Sequence, residues 1–131
     1  MLSNKNLVII GGSTGLGLSA AHAFIKNGAN VVIAGRNKKS IEEALLALGA
    51  KARAICADAT DADTSPRAIE LCQESFGSFD GLYHVAGGSG RKMGDGPLHE
   101  ITLEGWNKTL ELNLTSLMLS NQAAIKHFLQ H

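Results

Sequence analysis

Leu7-Val8-Ile9-Ile10 runs directly into Gly11-Gly12-Ser13-Thr14-Gly15-Leu16-Gly17, and a helical pattern follows at once. A short unbroken apolar run reads as a strand buried on both faces, which an open antiparallel sheet rarely needs. The chain must then reverse within a few residues before it can enter the helix. Each glycine meets a separate demand: positive φ at Gly11, backbone approach to a ligand at Gly15, close helix-to-strand packing at Gly17. A helix that starts in such a turn presents unpaired N–H groups carrying partial positive charge, the chemistry of a phosphate site. Ser13 and Thr14 add hydroxyl donors, and Leu16 lies in the first turn of the helix.

The rest of the chain repeats this alternation. Apolar runs at Leu7 to Ile10, Val31 to Ala34, Ala52 to Cys56 and Leu82 to Val85 predict four strands. Leu16, Ala20, Ala23 and Phe24 recur at helical spacing, with Gly28 placed as a C-terminal cap. A second helix is expected from Lys38 to Leu48, ending at Gly49. A third is expected from near Ser65, with Pro66 at the first helical position, to Phe76-Gly77. One long helical segment from Thr102 to about Gln130 closes the chain. The pattern predicts an α/β fold: a Rossmann-like three-layer α/β/α arrangement around a parallel sheet of about four strands, in order 3-2-1-4. A complete doubly wound domain has about six strands, so residues 1–131 read as a truncated dinucleotide-binding domain.

A chain of 131 residues buries roughly two-thirds of the surface exposed when unfolded, enough for one core. Lys and Arg number 12 and Asp and Glu 12, so no net field favours nucleic acid or an anionic membrane. No stretch reaches membrane-spanning length, and the first residues lack a signal-peptide core. Cys56 and Cys72 sit in apolar segments without metal-ligand spacing and are expected as buried free thiols in a reducing cytoplasm. No metal site is expected.

The residues after the second strand select the dinucleotide. An acid there would bind a ribose 2′-hydroxyl, but the chain has Ala34-Gly35-Arg36-Asn37-Lys38-Lys39. Arg36 can hold a 2′-phosphate through paired charge-assisted hydrogen bonds, so NADP(H) is favoured over NAD(H).

Taken together these stretches resemble the short-chain dehydrogenase/reductase family. Its first turn, Thr-Gly-x-x-x-Gly-x-Gly, is similar to Ile10 through Gly17, with isoleucine in place of the leading threonine. The resemblance implies that Asp58 lies near an adenine amino group and that Ala59 supplies a backbone contact. Where the family writes Asn-Asn-Ala-Gly, this chain has His84-Val85-Ala86-Gly87. Ala86 and Gly87 would then pass close to the nicotinamide ribose, and His84 would hydrogen-bond across the fold as a core residue. Asn113 in Leu112-Asn113-Leu114-Thr115 matches the family's catalytic asparagine, whose side chain competes with helix hydrogen bonds and can open a kink.

The family's serine, tyrosine and lysine have no counterpart here. Tyr83 is the one tyrosine, and Gly87 stands four residues later; Tyr83 is expected to pack. The resemblance therefore implies the cofactor-binding portion of an oxidoreductase, inactive without a proton donor. The alternatives are a non-catalytic nucleotide-binding or dimerisation module, or one chain of a split reductase. An unpaired fourth-strand edge and the apolar Leu114, Leu117, Met118 and Leu119 point to a homodimer. The Gly87 to Pro97 loop, with Arg91, Lys92 and Asp95, is expected to be solvated.

Overall fold

A computed structural model describes residues 1–131. Strands β1 (Asn6–Ile10), β2 (Asn30–Gly35), β3 (Ala52–Cys56) and β4 (Gly81–His84) form one parallel sheet in the order β3-β2-β1-β4. Helices α1 (Gly15–Lys26), α2 (Lys38–Leu48) and α3 (Thr64–Phe76) connect them. After β4 come α4 (Leu103–Leu110), a π-helical turn at Glu111–Thr115, and α5 (Ser116–Gln130).

Period-two alternation divides the central strands between two cores. Val8, Ile10, Val32 and Ala34 face α3 and α5, where they bury Ala68, Ile69, Cys72, Phe79 and Ala124. Ile9, Val31 and Ile33 point to the opposite side and pack with Ala21, Ala44 and Leu48 of α1 and α2. Both faces are covered, and this is why the strands read as unbroken apolar runs. The expected Rossmann-like three-layer α/β/α fold and strand order are therefore present.

Several boundaries differ from the sequence expectation. The third helix starts at Thr64, because the Thr64 hydroxyl donates to the Asp58 carbonyl and its N–H donates to that of Asp61. Pro66 thus occupies the third helical position, still within the turn whose N–H groups lack helical partners. The fourth strand is displaced by one residue, since the ladder with β1 already pairs Leu7 with Gly81. The final segment is three elements, broken around Asn113. Cys72 is buried as expected, but Cys56 is exposed at the end of edge strand β3, where its thiol lies 3.4 Å from the Arg36 carbonyl. Tyr83 is 42% exposed and packs edge-on against Phe24, their centroids 6.0 Å apart. The loop after β4 is tied to α4: Gly90 is buried, Thr109 Oγ1 donates to Asp95 Oδ2 at 2.8 Å, and Thr102 N donates to Gly94 O at 3.0 Å. Arg91 and Lys92 remain exposed.

The amino ends of the strands are joined by one buried side chain. Asn6 Nδ2 donates to Ser78 Oγ at 2.8 Å and Phe76 O at 3.3 Å, and its Oδ1 accepts from Asn30 Nδ2 at 2.8 Å. The Asn6 N–H donates to Asp80 Oδ2 at 2.8 Å. Asn6→Ala keeps the backbone bond to Asp80 but removes the side-chain bonds to Ser78, Phe76 and Asn30, and should cost about 1–3 kcal/mol in urea denaturation. Because Asn6 lies at the sheet end opposite the glycine turn, ligand affinity in the folded variant should be unchanged.

Candidate functional site

The carboxyl ends of β1 and β2 hold the first glycine turn in place. The Ala34 carbonyl accepts from the N–H groups of both Gly11 and Gly12, at 2.9 and 3.2 Å. The Ile10 carbonyl likewise accepts from Val85 and Ala86, at 2.8 and 2.9 Å. Gly11 takes φ +90°, and a Cβ there would stand 2.6 Å from the Ala86 nitrogen. A Cβ on Gly17 would collide with the Gly11 carbonyl, so this residue lets α1 cross directly over the turn. Gly15 behaves differently: it has φ +53°, and a Cβ there would meet nothing within 4 Å. It faces open space at the start of α1.

That helix start is not capped by its own chain. Thr14 is the N-cap residue but accepts no side-chain capping bond, and the first helical bond runs from Leu18 N to Thr14 O. The amides of Gly15, Leu16 and Gly17 therefore precede the helical ladder. By contrast, Asn37 accepts from Ser40 N at the start of α2. No acidic residue stands in the first turn of α1.

These elements enclose a cleft of 380 Å3. Of the residues singled out above, Gly11, Ser13, Thr14, Gly15 and Leu16 line its first wall, and Arg36, Asp58 and Ala59 its second. Ala86 and Gly87 also line the cleft, with Ala86 directly against Gly11. Gly17 does not line it; its place is against the turn. Ser13 is buried against Gly35, whose missing side chain makes room for the serine hydroxyl. Arg36 is exposed and forms none of the chain's ion pairs. Leu112, Ser40, Asn37 and Thr60 also contribute lining. The signals for two of these are local: Asn37 stands three residues before Ser40 as a cap, and Asp58 two before Thr60 as an Asx turn.

Asp58 Oδ1 accepts from Thr60 N at 2.9 Å and Thr60 Oγ1 at 2.8 Å. Partial burial raises the Asp58 pKa, but the two Thr60 bonds and the positive charges of Arg36 and Lys108 outweigh it, leaving the pKa below its ordinary value. The carboxylate is thus held ionised on the side of the cleft next to Arg36.

Asn113 lies just outside the lining. Its Oδ1 accepts from Gly88 N at 3.0 Å, while Nδ2 donates to Gly88 O at 2.6 Å and to Thr109 O at 2.9 Å. Taking the Thr109 carbonyl competes with the helical ladder, which accounts for the π turn at this point. A Cβ on Gly87 would come 2.6 Å from Asn113 Oδ1, so glycine is needed there for the clamp.

His84 does bond across the fold. Its Nε2 lies 2.9 Å from the Ala86 carbonyl, and Nδ1 lies 2.8 Å from Ser120 Oγ on α5. Burial holds the imidazole pKa below its usual value, while the bond to Ala86 opposes that shift. An unfolded chain then takes up the proton first as pH falls through about 6.5, so stability is full above that pH and declines below it. Urea midpoints at about pH 7.5 and about pH 5.5 should fall less in His84→Gln than in the parent chain. The glycines separate in the same assay: Gly17→Ala should cost about 3 kcal/mol through overpacking and Gly15→Ala about 1 kcal/mol through backbone strain.

With this geometry established, known proteins give a consistent comparison. The profile described as short chain dehydrogenase matches residues 5–131. The chain is 36% identical over 127 residues to a 2,5-dichloro-2,5-cyclohexadiene-1,4-diol dehydrogenase of Sphingobium indicum, covering 95% of this chain and 49% of that protein. It is 30% identical over 132 residues to 2-(S)-hydroxypropyl-CoM dehydrogenase 3 of Xanthobacter autotrophicus, covering 98% and 50%. Among solved structures, the 3-ketoacyl-(acyl-carrier-protein) reductase of Brucella melitensis complexed with NADH superposes with TM-score 0.87 at 27% identity, covering 99% of this chain and 52% of that one. A short-chain dehydrogenase/reductase of Mycobacterium ulcerans gives TM-score 0.87 at 28% identity, covering 98% and 48%. The chain spans about half the length of the curated relatives it matches. Glycine turn, strand order and cleft thus agree with the profile match, and the chain belongs to the short-chain dehydrogenase/reductase family of oxidoreductases.

Proposed function

We propose that the cleft binds NADP(H) in preference to NAD(H), and that this chain is the cofactor-binding portion of an oxidoreductase. The observation that carries the reading is the pairing of two features on one cleft. Uncapped α1 amides at Gly15 to Gly17 suit a pyrophosphate, and Arg36 stands at the end of β2 where an acid would serve NAD(H). The open space at Gly15 and the absence of first-turn acids are what a dianionic bridge needs. Ser13 and Thr14 would add hydroxyl donors to the phosphates, and Leu16 an amide. Asp58 and Ala59 would meet the adenine, and Ala86 and Gly87 the nicotinamide ribose.

When bound, the nicotinamide would supply or accept a hydride. Asn113 would serve as a positioning residue, fixing the Gly88 peptide and keeping the π turn open beside the reacting end. The chain contains no Tyr-x-x-x-Lys, so proton transfer to a carbonyl needs groups from outside residues 1–131. No helix is long and apolar enough to cross a membrane, and we place the protein in the cytoplasm, where its two free thiols stay reduced.

The assembly in this reading is a homodimer. The outer edge of β4 has no strand partner. Leu114, Leu117, Met118 and Phe128 are exposed along the final helical segment. Exposed apolar side chains beside an unpaired strand edge suit a contact between two copies of the chain.

Two measurements check these statements. Fluorescence titration should show NADPH binding more tightly than NADH, and Arg36→Ala should weaken NADPH about 10- to 100-fold through loss of a charge-assisted contact while leaving NADH nearly unchanged. Equal affinity for both nucleotides would contradict the preference. Sedimentation should give twice the chain mass at micromolar concentration, shifting to monomer in Met118→Glu; a monodisperse parent monomer would remove the dimer.

A further inference from the structure

Between the cleft and α5 sits one side chain that the cofactor reading leaves without a task. His84 is half-buried at the end of β4 and is reached only by neutral groups: the Ala86 carbonyl at Nε2, Ser120 Oγ at Nδ1, and Ser116 Oγ 3.4 Å from Nε2. A carbonyl only accepts, so Nε2 carries the proton and donates it to Ala86. Nδ1 of the neutral ring then accepts, at 2.8 Å, from the Ser120 hydroxyl, whose single hydrogen also faces the Leu117 carbonyl at 3.1 Å. Both serines are fully buried on α5, and Ser116 Oγ also donates to the Leu112 carbonyl at 2.7 Å. Leu112 and Ala86 both line the cleft.

We infer that His84 is a positioning residue of the cleft, an imidazole post that ties the Ala86 peptide to α5 and so sets the Ala86–Gly88 wall. The wall has few other restraints. The Ala86 N–H is held by Ile10 O, and the Gly88 peptide by Asn113 from the π turn. The Ala86 carbonyl receives its side-chain hydrogen bond from His84. This carbonyl belongs to the Ala86–Gly87 peptide, next along the chain from the Ala86 nitrogen and Cα, against which Gly11 packs so closely that no Cβ fits between them. Ile10 thus fixes the amide side of Ala86 against the glycine turn, and His84 fixes its carbonyl side, from which the chain continues to Gly87 and Gly88. The inference rests on the reading of the cleft as a dinucleotide site, but the restraint itself belongs to the ligand-free chain.

Two conservative changes divide the two ring nitrogens. Glutamine places its amide N–H near the position of Nε2 and keeps the bond to Ala86. Asparagine reaches only as far as Nδ1, keeping a partner for Ser120 and losing Ala86. Amide hydrogen exchange in the ligand-free chain is read at Ala86 and Gly88 against Val32 and Ile33 of β2, so that any general loss of stability cancels. His84→Asn should raise the relative exchange at Ala86 and Gly88 about 5- to 10-fold, and His84→Gln should leave it near that of the parent. NADPH affinity should follow the same order, about 5- to 10-fold weaker for His84→Asn and within about 2-fold for His84→Gln. Relative exchange in His84→Asn equal to the parent would overturn the inference. So would equal weakening of NADPH binding by both variants, which marks a merely structural role. A parent chain that fails to bind NADPH at all would refute the proposed function instead, and the exchange ratio would still decide whether His84 sets the wall.

Discussion

Two carbonyl groups hold the geometry of the cleft. Ala34 O takes the N–H groups of Gly11 and Gly12, and Ile10 O takes those of Val85 and Ala86, so β1 is locked to both neighbours just where it ends. Parallel pairing supplies these bonds only if β1 is central, and β1 is central because Ile9 is buried on one face while Val8 and Ile10 are buried on the other. Side-chain periodicity thus places the strand, and the strand end places the turn. From there, the collision a Cβ at Gly17 would make with the Gly11 carbonyl sets how closely α1 crosses. Its leading amides face the open space at Gly15 as a result.

The electrostatics of the cleft are divided in the same way. Arg36 follows β2 and Asp58 follows β3, and the two sit on adjacent ends of paired strands. Arg36 helps hold Asp58 ionised, though the Thr60 bonds oppose the effect of burial more strongly. Neither charge is tied up in an ion pair, which leaves the guanidinium available to an anionic ligand. Around Ala86 and Gly88 the side-chain contacts are neutral hydrogen bonds. Asn113 grips the Gly88 peptide from one side and His84 grips Ala86 from the other.

What could be read from the sequence was whatever depends on local spacing. The four strands, the helix ends at Gly49 and Gly77, and the strand order followed from apolar runs and glycine positions. A kink at Asn113 was legible because its amide can reach a carbonyl four residues back, yet its second partner, Gly88, lies 25 residues away. The length of the break was invisible for that reason. Cys56 misled because an apolar strand pattern does not reveal that the strand is an edge and that its last residue escapes cover. Thr64 started its helix earlier than Pro66 suggested, through a tertiary bond to Asp58. His84 was visible as a polar residue needing partners, but Ser116 and Ser120 stand 32 and 36 residues further on, and only the packing of α5 against β4 joins them.

The central claim is that the uncapped start of α1 and Arg36 together hold one dinucleotide. Amide NMR of the chain titrated with NADPH tests this most directly. The account predicts the largest shifts at Gly15, Leu16 and Gly17 and at the Arg36 side chain, saturating together along one binding curve. An unchanged spectrum at those positions, or shifts confined to residues away from the cleft, would contradict it.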